Sequence, residues 1–230
     1  MAKEKVDMDQ ESTDSRQAFN ELWTRVLDLP KKTDVYARLS IEDFIVLKEC
    51  ISNVNGLITQ QVTLSFIDWL GKQHLLSLKE VEEEKNKLSN VSAYANGFDV
   101  DIDATKTHKH IVGEVKCNLP TSPEKFSVMQ KKGIIKDLMY MSKPSYKKGK
   151  KKSDLKDTYR FMVLLDYKSE TKDVRAAMQN LLEYTKEHES ISISHITYKF
   201  CDMSEIETYS PTTKLDTDKI YIVYIPLNTI

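Results

Sequence analysis

Apolar residues recur along the chain with two different periods, and the change between them marks its organisation. From about Arg16 to His74 the spacing is helical. Phe19, Leu22, Trp23, Val26 and Leu27 form one apolar stripe, and Phe44, Leu47 and Ile51 form another. Ser40 is a favourable N-cap, with Glu42 and Asp43 in the first turn that follows, and this helix is expected to end near Gly56. A third helix is expected from about Thr59 to Leu70, stopped by Gly71. Ser77 to Leu88 reads as a charged amphipathic helix, and Asn96-Gly97 then punctuates the chain. After Gly97 the period falls to two. Phe98, Val100 and Ile102 alternate with Asp99, Asp101 and Asp103, which predicts a strand ending at Ala104. Thr105 to Lys109 is polar and predicts a hairpin turn. His110 to Cys117 predicts a second strand, closed off by Pro120 and Pro123.

Helical spacing returns over Lys125 to Met141, and a lysine-rich loop follows. Arg160 to Tyr167 is a short apolar run, as expected of a central strand covered on both faces. Val174 to Glu187 predicts a helix, and Ser194 to Phe200 and Lys219 to Leu227 predict closing strands. The order of elements predicts an α/β fold, a mixed sheet flanked by helices, with an N-terminal helical subdomain. The expected boundaries are a disordered tail over 1–15, the helical subdomain over 16–76 and the sheet-containing core over 77–230.

Composition narrows the function. The 230 residues are 40% hydrophobic and 30% charged with a formal net charge of −1, so nucleic-acid affinity has to come from a local basic patch. The N-terminal 15 residues lack the apolar segment of a signal peptide, and no run approaches the ~18 apolar residues needed to span a bilayer. Cys50, Cys117 and Cys201 are too widely spaced for a disulfide framework or a zinc knuckle, and a reduced, cytoplasmic setting is expected. With six glycines and no glycine-rich phosphate loop, no nucleotide cofactor is expected.

The chemistry concentrates in the hairpin. Asp99, Asp101 and Asp103 share one strand face, and three parallel carboxylates call for compensation. A divalent cation supplies it, since Mg²⁺ takes one or two carboxylates, waters and substrate phosphate. On the paired strand Glu114 and Lys116 share a face while Val115 points the other way. Such a hairpin can hold a cation between carboxylates and place an ammonium beside it, an arrangement suited to phosphodiester hydrolysis.

An aspartate, a polar hairpin and Glu-x-Lys on an apolar strand, between an acidic helix and a helix followed by a buried strand, resembles the PD-(D/E)xK nuclease superfamily. That superfamily includes the type II restriction endonucleases. The resemblance covers about residues 77 to 185. It implies a restriction-endonuclease-like fold and Mg²⁺-dependent cleavage of DNA, with Mn²⁺ able to substitute. It implies Asp101 and Glu114 as metal ligands, with Asp99 as a further candidate, and Lys116 as the lysine of the motif. Asp101 is favoured because it sits mid-strand, although periodicity alone does not separate the three aspartates. One of Glu80, Glu82, Glu83 and Glu84 is expected to assist the metal, and Gln130 on the following helix to approach DNA. The position before Asp101 is Val100 where the motif has proline. Resemblance to restriction enzymes further implies sequence-specific double-strand cleavage by a homodimer.

The run from Lys143 to Lys152 adds a candidate phosphate-binding loop with Lys147, Lys148, Lys150, Lys151 and Lys152. His108 and His110 flank the hairpin turn and read as turn residues. Two other readings compete: a non-catalytic DNA-binding module on a nuclease-like fold, and a protein-interaction module in which the acidic strand carries no chemistry.

Overall fold

The structure, a computed structural model, describes residues 16–17, 19–24, 26–28, 30, 34–89, 99–142, 145–148, 151–154, 157–187, 190–193, 196–199 and 206–226. The expected tail over 1–15, the Asn96-Gly97 punctuation, Phe98, Lys143 and Lys150 lie outside the described residues. The chain divides into two compact units, Met1–Val54 and Asn55–Ile230.

In the first unit the apolar stripes meet as an aromatic cluster. Phe19 lies edge-on to Tyr36 and beside Trp23 and Phe44, with ring centroids 5.8 to 6.1 Å apart. Asp34 accepts from Arg16 at 2.5 Å and from Asn20 at 2.8 Å, which fixes the bend before Ser40. Helix α1, Ile41–Lys72, begins with the reciprocal bonds of a capping box between Ser40 and Asp43. It runs straight through Gly56, where the sequence predicts one helix ending and another starting. A glycine inside a helix costs only about 1 kcal/mol, and the next turns pack on the sheet through Val62, Phe66, Ile67 and Leu70. Residues 55–76 therefore belong with the core and not with a separate helical subdomain.

The second unit is α/β. Its five-stranded mixed sheet has the order β1 (Val100–Ala104), β2 (Lys109–Lys116), β5 (Thr158–Asp166), β9 (Ile220–Pro226), β8 (Ile206–Thr208). Strand β1, Val100–Ala104, is antiparallel to β2, Lys109–Lys116. Strands β5 (Thr158–Asp166), β9 (Ile220–Pro226) and β8 (Ile206–Thr208) follow in parallel. Helix α1 and helix α2, Leu78–Ser89, cover one face, packing on Ile102, Ile111, Val115, Phe161, Val163 and Tyr221. Helix α3, Val128–Met141, and helix α4, Val174–Glu187, cover the other face over Val112, Met162, Leu164 and Ile222. The apolar run of β5 is central and buried on both faces, as its composition predicts.

Two expectations differ. The lysine-rich segment is not a plain loop: β3, Ser145–Lys148, and β4, Lys151–Asp154, pair as an antiparallel hairpin. Residues expected to close the sheet near Ser194–Phe200 instead form β7, Ile196–Lys199. This strand pairs with β6, Ser190–Ile193, in a separate two-stranded sheet. The sheet edge is taken by β8, whose three residues are too few for a sequence periodicity.

Three contacts set the elements around the hairpin. Gly71 is required where α1 approaches α2, because a Cβ there would lie 2.8 Å from Val81 Cγ2. Arg160, 5% exposed on β5, donates to the carbonyls of Met141 at 2.8 Å and Thr217 at 2.5 Å, tying the last turn of α3 to the sheet. Glu80 accepts from the amide and hydroxyl of Ser77 on one oxygen and of Thr105 on the other, at 2.6 to 2.7 Å. One carboxylate thus caps α2 and clasps the β1–β2 turn. Burial opposes its charge, but the four donors overcome this and bring the carboxyl down to about 2.

A group depressed in this way stabilises above the ordinary carboxylate range, and that stability is lost as pH falls from about 4.5 through about 2. Glu80→Gln is expected to destabilise the protein by about 2 kcal/mol at neutral pH. The gap between variant and wild type should close across that acid range. Urea melts at a series of pH values read this directly, and a gap that persists undiminished below about pH 2 would show that the charge is not what the clasp uses.

Candidate active site

Strand β2 carries Glu114 and Lys116 on the face toward α3, one pleat beyond Val112. Glu114 is 3% exposed, which is unusual for an ionisable residue and calls for partners. Lys116 Nζ lies 3.7 Å from Glu114 Oε2 and 2.6 Å from Asp137 Oδ2. Asp137 projects from the third turn of α3, and its side chain is 15% exposed beside the 20% exposed side chain of Lys116. Burial works against the ammonium. The charge and hydrogen bond of Asp137, with Glu114 and Asp99 behind it, outweigh burial and hold Lys116 above its ordinary pKa.

The β1–β2 register decides which aspartate joins this group. Val100 pairs with Gly113, Asp101 with Val112 and Asp103 with His110. Asp99 immediately precedes the first of these pairs, and its Oδ2 accepts the Val115 amide at 2.7 Å. The structure therefore brings Asp99, Glu114, Lys116 and Asp137 together. Asp101 lies further along β1, half exposed, with Oδ1 3.1 Å from His110 Nε2. His110 also reaches Asp103 through Nδ1 at 2.6 Å. The register places Asp101 opposite Val112, beyond the four-residue turn 105–108 in which His108 has a φ of 52°.

The remaining candidates are placed as follows. Gln130 is committed to structure, because its Oε1 accepts the Ser127 amide in a capping box and its Nε2 donates to the Leu119 carbonyl at 2.8 Å. Among the helix glutamates, Glu80 is engaged by Ser77 and Thr105, Glu83 lies 3.6 Å from Lys79, and Glu84 pairs with Lys87. Lys147 pairs in register with Lys152, and Lys148 with Lys151, across the β3–β4 hairpin, while Lys150 is outside the described residues. Cys117 is pushed up to about 11, chiefly by burial, and its thiol is poorly suited to act as a nucleophile or ligand.

Asp137 is the residue that sequence reasoning missed. Its signal was present in the helical spacing. Gln130, Ile134, Asp137 and Met141 fall on one stripe of α3, and Ile134 and Met141 are buried core residues. A carboxylate on a core-facing stripe implies a cationic partner, and here that partner is Lys116.

Among the described residues no three His, Cys, Asp or Glu side chains converge as a preformed metal cage. A hard cation such as Mg²⁺ needs fewer, one or two carboxylates with waters and substrate oxygens completing the shell. Asp99, at the entry to β1, and Glu114 on β2 are the carboxylates that could contribute to such a donor set. Among the described residues no helix is long and apolar enough to cross a membrane. Compared with known proteins, the chain matches no family model, no curated protein and no solved structure.

Proposed function

We propose that this chain is a metal-dependent endonuclease that hydrolyses DNA phosphodiester bonds, with Asp99, Glu114 and Lys116 at its active site. The observation that carries this reading is a buried glutamate and a carboxylate-paired lysine two residues apart on β2, met at the same end of the hairpin by Asp99 at the entry to β1. Asp99 and Glu114 would hold Mg²⁺, with Mn²⁺ as a substitute. When bound, the metal supplies a polarised phosphate and a water of lowered pKa. Glu114, fixed in a central region of the sheet, keeps its oxygens in place without reorganisation. The Val115 amide orients Asp99. Lys116 presents its ammonium to the phosphate oxygens as charge builds there and directs the attacking water toward phosphorus.

The finer reading is restriction-type cleavage of both strands at a specific sequence by a homodimer. In support of a protein partner, Ile41, Ile45, Val46, Ile51 and Val54 on the first half of α1 are each at least half exposed. The basic β3–β4 segment supports a polyanionic substrate.

The deciding experiment is incubation of a mixed double-stranded DNA substrate with the protein, with and without roughly 10 mM Mg²⁺, a concentration suited to a weakly held hard cation. Discrete fragments that disappear with EDTA are expected. A smear would keep the chemistry and remove the specificity. DNA that is bound but left intact with either Mg²⁺ or Mn²⁺ would end the catalytic reading.

A further inference from the structure

At Gly71 and Gly113 an added Cβ would lie 2.8 Å from Val81 and 3.3 Å from Phe66, so close packing explains both glycines. Gly133 differs. It stands inside α3, and an added Cβ there would meet nothing within 4 Å. A glycine inside a helix costs stability relative to alanine, and no neighbour among the described residues accounts for this one. Its place on the helix is specific, because residues four apart share a helix face. Met129, 70% exposed, lies one turn before Gly133, and Asp137, the partner of Lys116, lies one turn after it. The bare turn is therefore next to the candidate active site. Lys132 and Lys136, themselves one turn apart, flank it. Lys85, Lys109, Lys168 and Lys219 each pair with a carboxylate, whereas Lys132 and Lys136 form no ion pair among the described residues. Lys136 Nζ rests 5.5 Å over the Tyr140 ring, which steadies the ammonium without neutralising it.

We infer that the outer face of α3 carries the DNA backbone past the candidate active site, with Lys132 and Lys136 on phosphates and Gly133 leaving room for close approach. This rests on the DNA-cleaving reading above and adds a binding surface to it. With a formal net charge of −1, the chain attracts a polyanion only through a local patch. Two ammonium groups one turn apart, neither matched by a carboxylate, release counter-ions when phosphates replace them, and that release supplies affinity. A side chain at 133 would stand between the two lysines and hold the backbone away from them. The surface is preformed, because the capping box at Ser127 fixes the start of α3 and Ile134, Leu138 and Met141 anchor its core face.

The test is binding of a fluorescein-labelled DNA duplex to the full chain, followed by anisotropy in EDTA so that nothing is cleaved, between roughly 50 and 200 mM salt. Lys132→Ala and Lys136→Ala are each expected to lower the slope of log affinity against log salt by about one, and together to weaken binding about tenfold. Lys106→Ala removes the same charge in the exposed β1–β2 turn, at the other end of the hairpin from Glu114, and should keep the wild-type slope and affinity. Gly133→Ala should raise the melting temperature by about 2–4 °C, because its methyl meets open space on a helix. The same change should weaken DNA binding about threefold, and Gly133→Leu about tenfold. A more stable protein that binds DNA less well is not explained by a loosened fold. A wild-type slope in both lysine variants, an equal loss in Lys106→Ala, or wild-type binding by Gly133→Leu overturns the inference, even where wild type cleaves DNA. Should Lys136→Ala melt early through the lost contact with Tyr140, Lys136→Gln decides in its place, and a wild-type slope there overturns the inference. Wild type that binds no duplex overturns it together with the DNA-cleaving reading. Wild type and variants that bind in the expected order, with no cleavage in Mg²⁺ or Mn²⁺, leave the inference standing and remove only the nuclease.

Discussion

Asp99→Asn is expected to lower DNA cleavage by about 100-fold or more, whereas Asp101→Asn should change it by no more than about threefold. The two substitutions are chemically identical and lie two residues apart, one at the entry to β1 and one within it, so the contrast isolates position. Asparagine at 99 can still accept the Val115 amide through its carbonyl oxygen, so the hairpin should fold as before. What it lacks is the negative charge that would hold a cation beside Glu114. At 101 the lost charge is one of two facing His110, at a half-exposed place on an edge strand. Single-turnover cleavage of one labelled duplex by both variants, with thermal melts alongside, measures the difference. Equal losses in both would mean that Asp101 reaches the metal, and the assignment of Asp99 would have to be withdrawn.

That contrast also marks how far the sequence was legible. Alternation over residues 98–104 and 110–117 carried the hairpin, the shared face of Glu114 and Lys116, and the inward direction of Val115. All of this follows from the pleat alone. The pairing register does not. Three aspartates at alternate positions satisfy the same period, and the turn conformation, with His108 in the left-handed region, fixes which one meets Glu114. Gln130 also has a structural role that the sequence carried. Ser127 and Gln130 are three apart at a helix start, a capping signature that accounts for the glutamine without DNA. The continuous helix through Gly56 was not readable locally, because its continuation depends on Val62, Phe66 and Leu70 finding the sheet. The edge strand β8 offered three residues and no period at all.

The same dependence of the site on distant packing makes Phe66→Ala the most destabilising single change expected. Phe66 is fully buried under the sheet. Its ring stacks on Trp69 at 5.5 Å and meets Phe161 edge-on at 5.4 Å between centroids. Its edge lies against Gly113, the residue before Glu114, closely enough that a Cβ there would come within 3.3 Å of Phe66 Cε1 and 3.4 Å of Val100 Cβ. Truncation removes a contact between α1 and the hairpin and leaves a cavity in the core, at a cost of about 3–5 kcal/mol. For a chain of this size that is roughly 10 °C in melting temperature. Gly113→Ala alone should also destabilise, by about 1–2 kcal/mol, because the added methyl is overpacked between Phe66 and Val100. In the Phe66→Ala background the methyl enters the space just vacated, so the second change should cost less than it does alone, or even stabilise. Urea denaturation of the four proteins gives the cycle. Strict additivity would show that α1 does not press on the strand that carries Glu114, and the account of how the fold sets that carboxylate would fail with it.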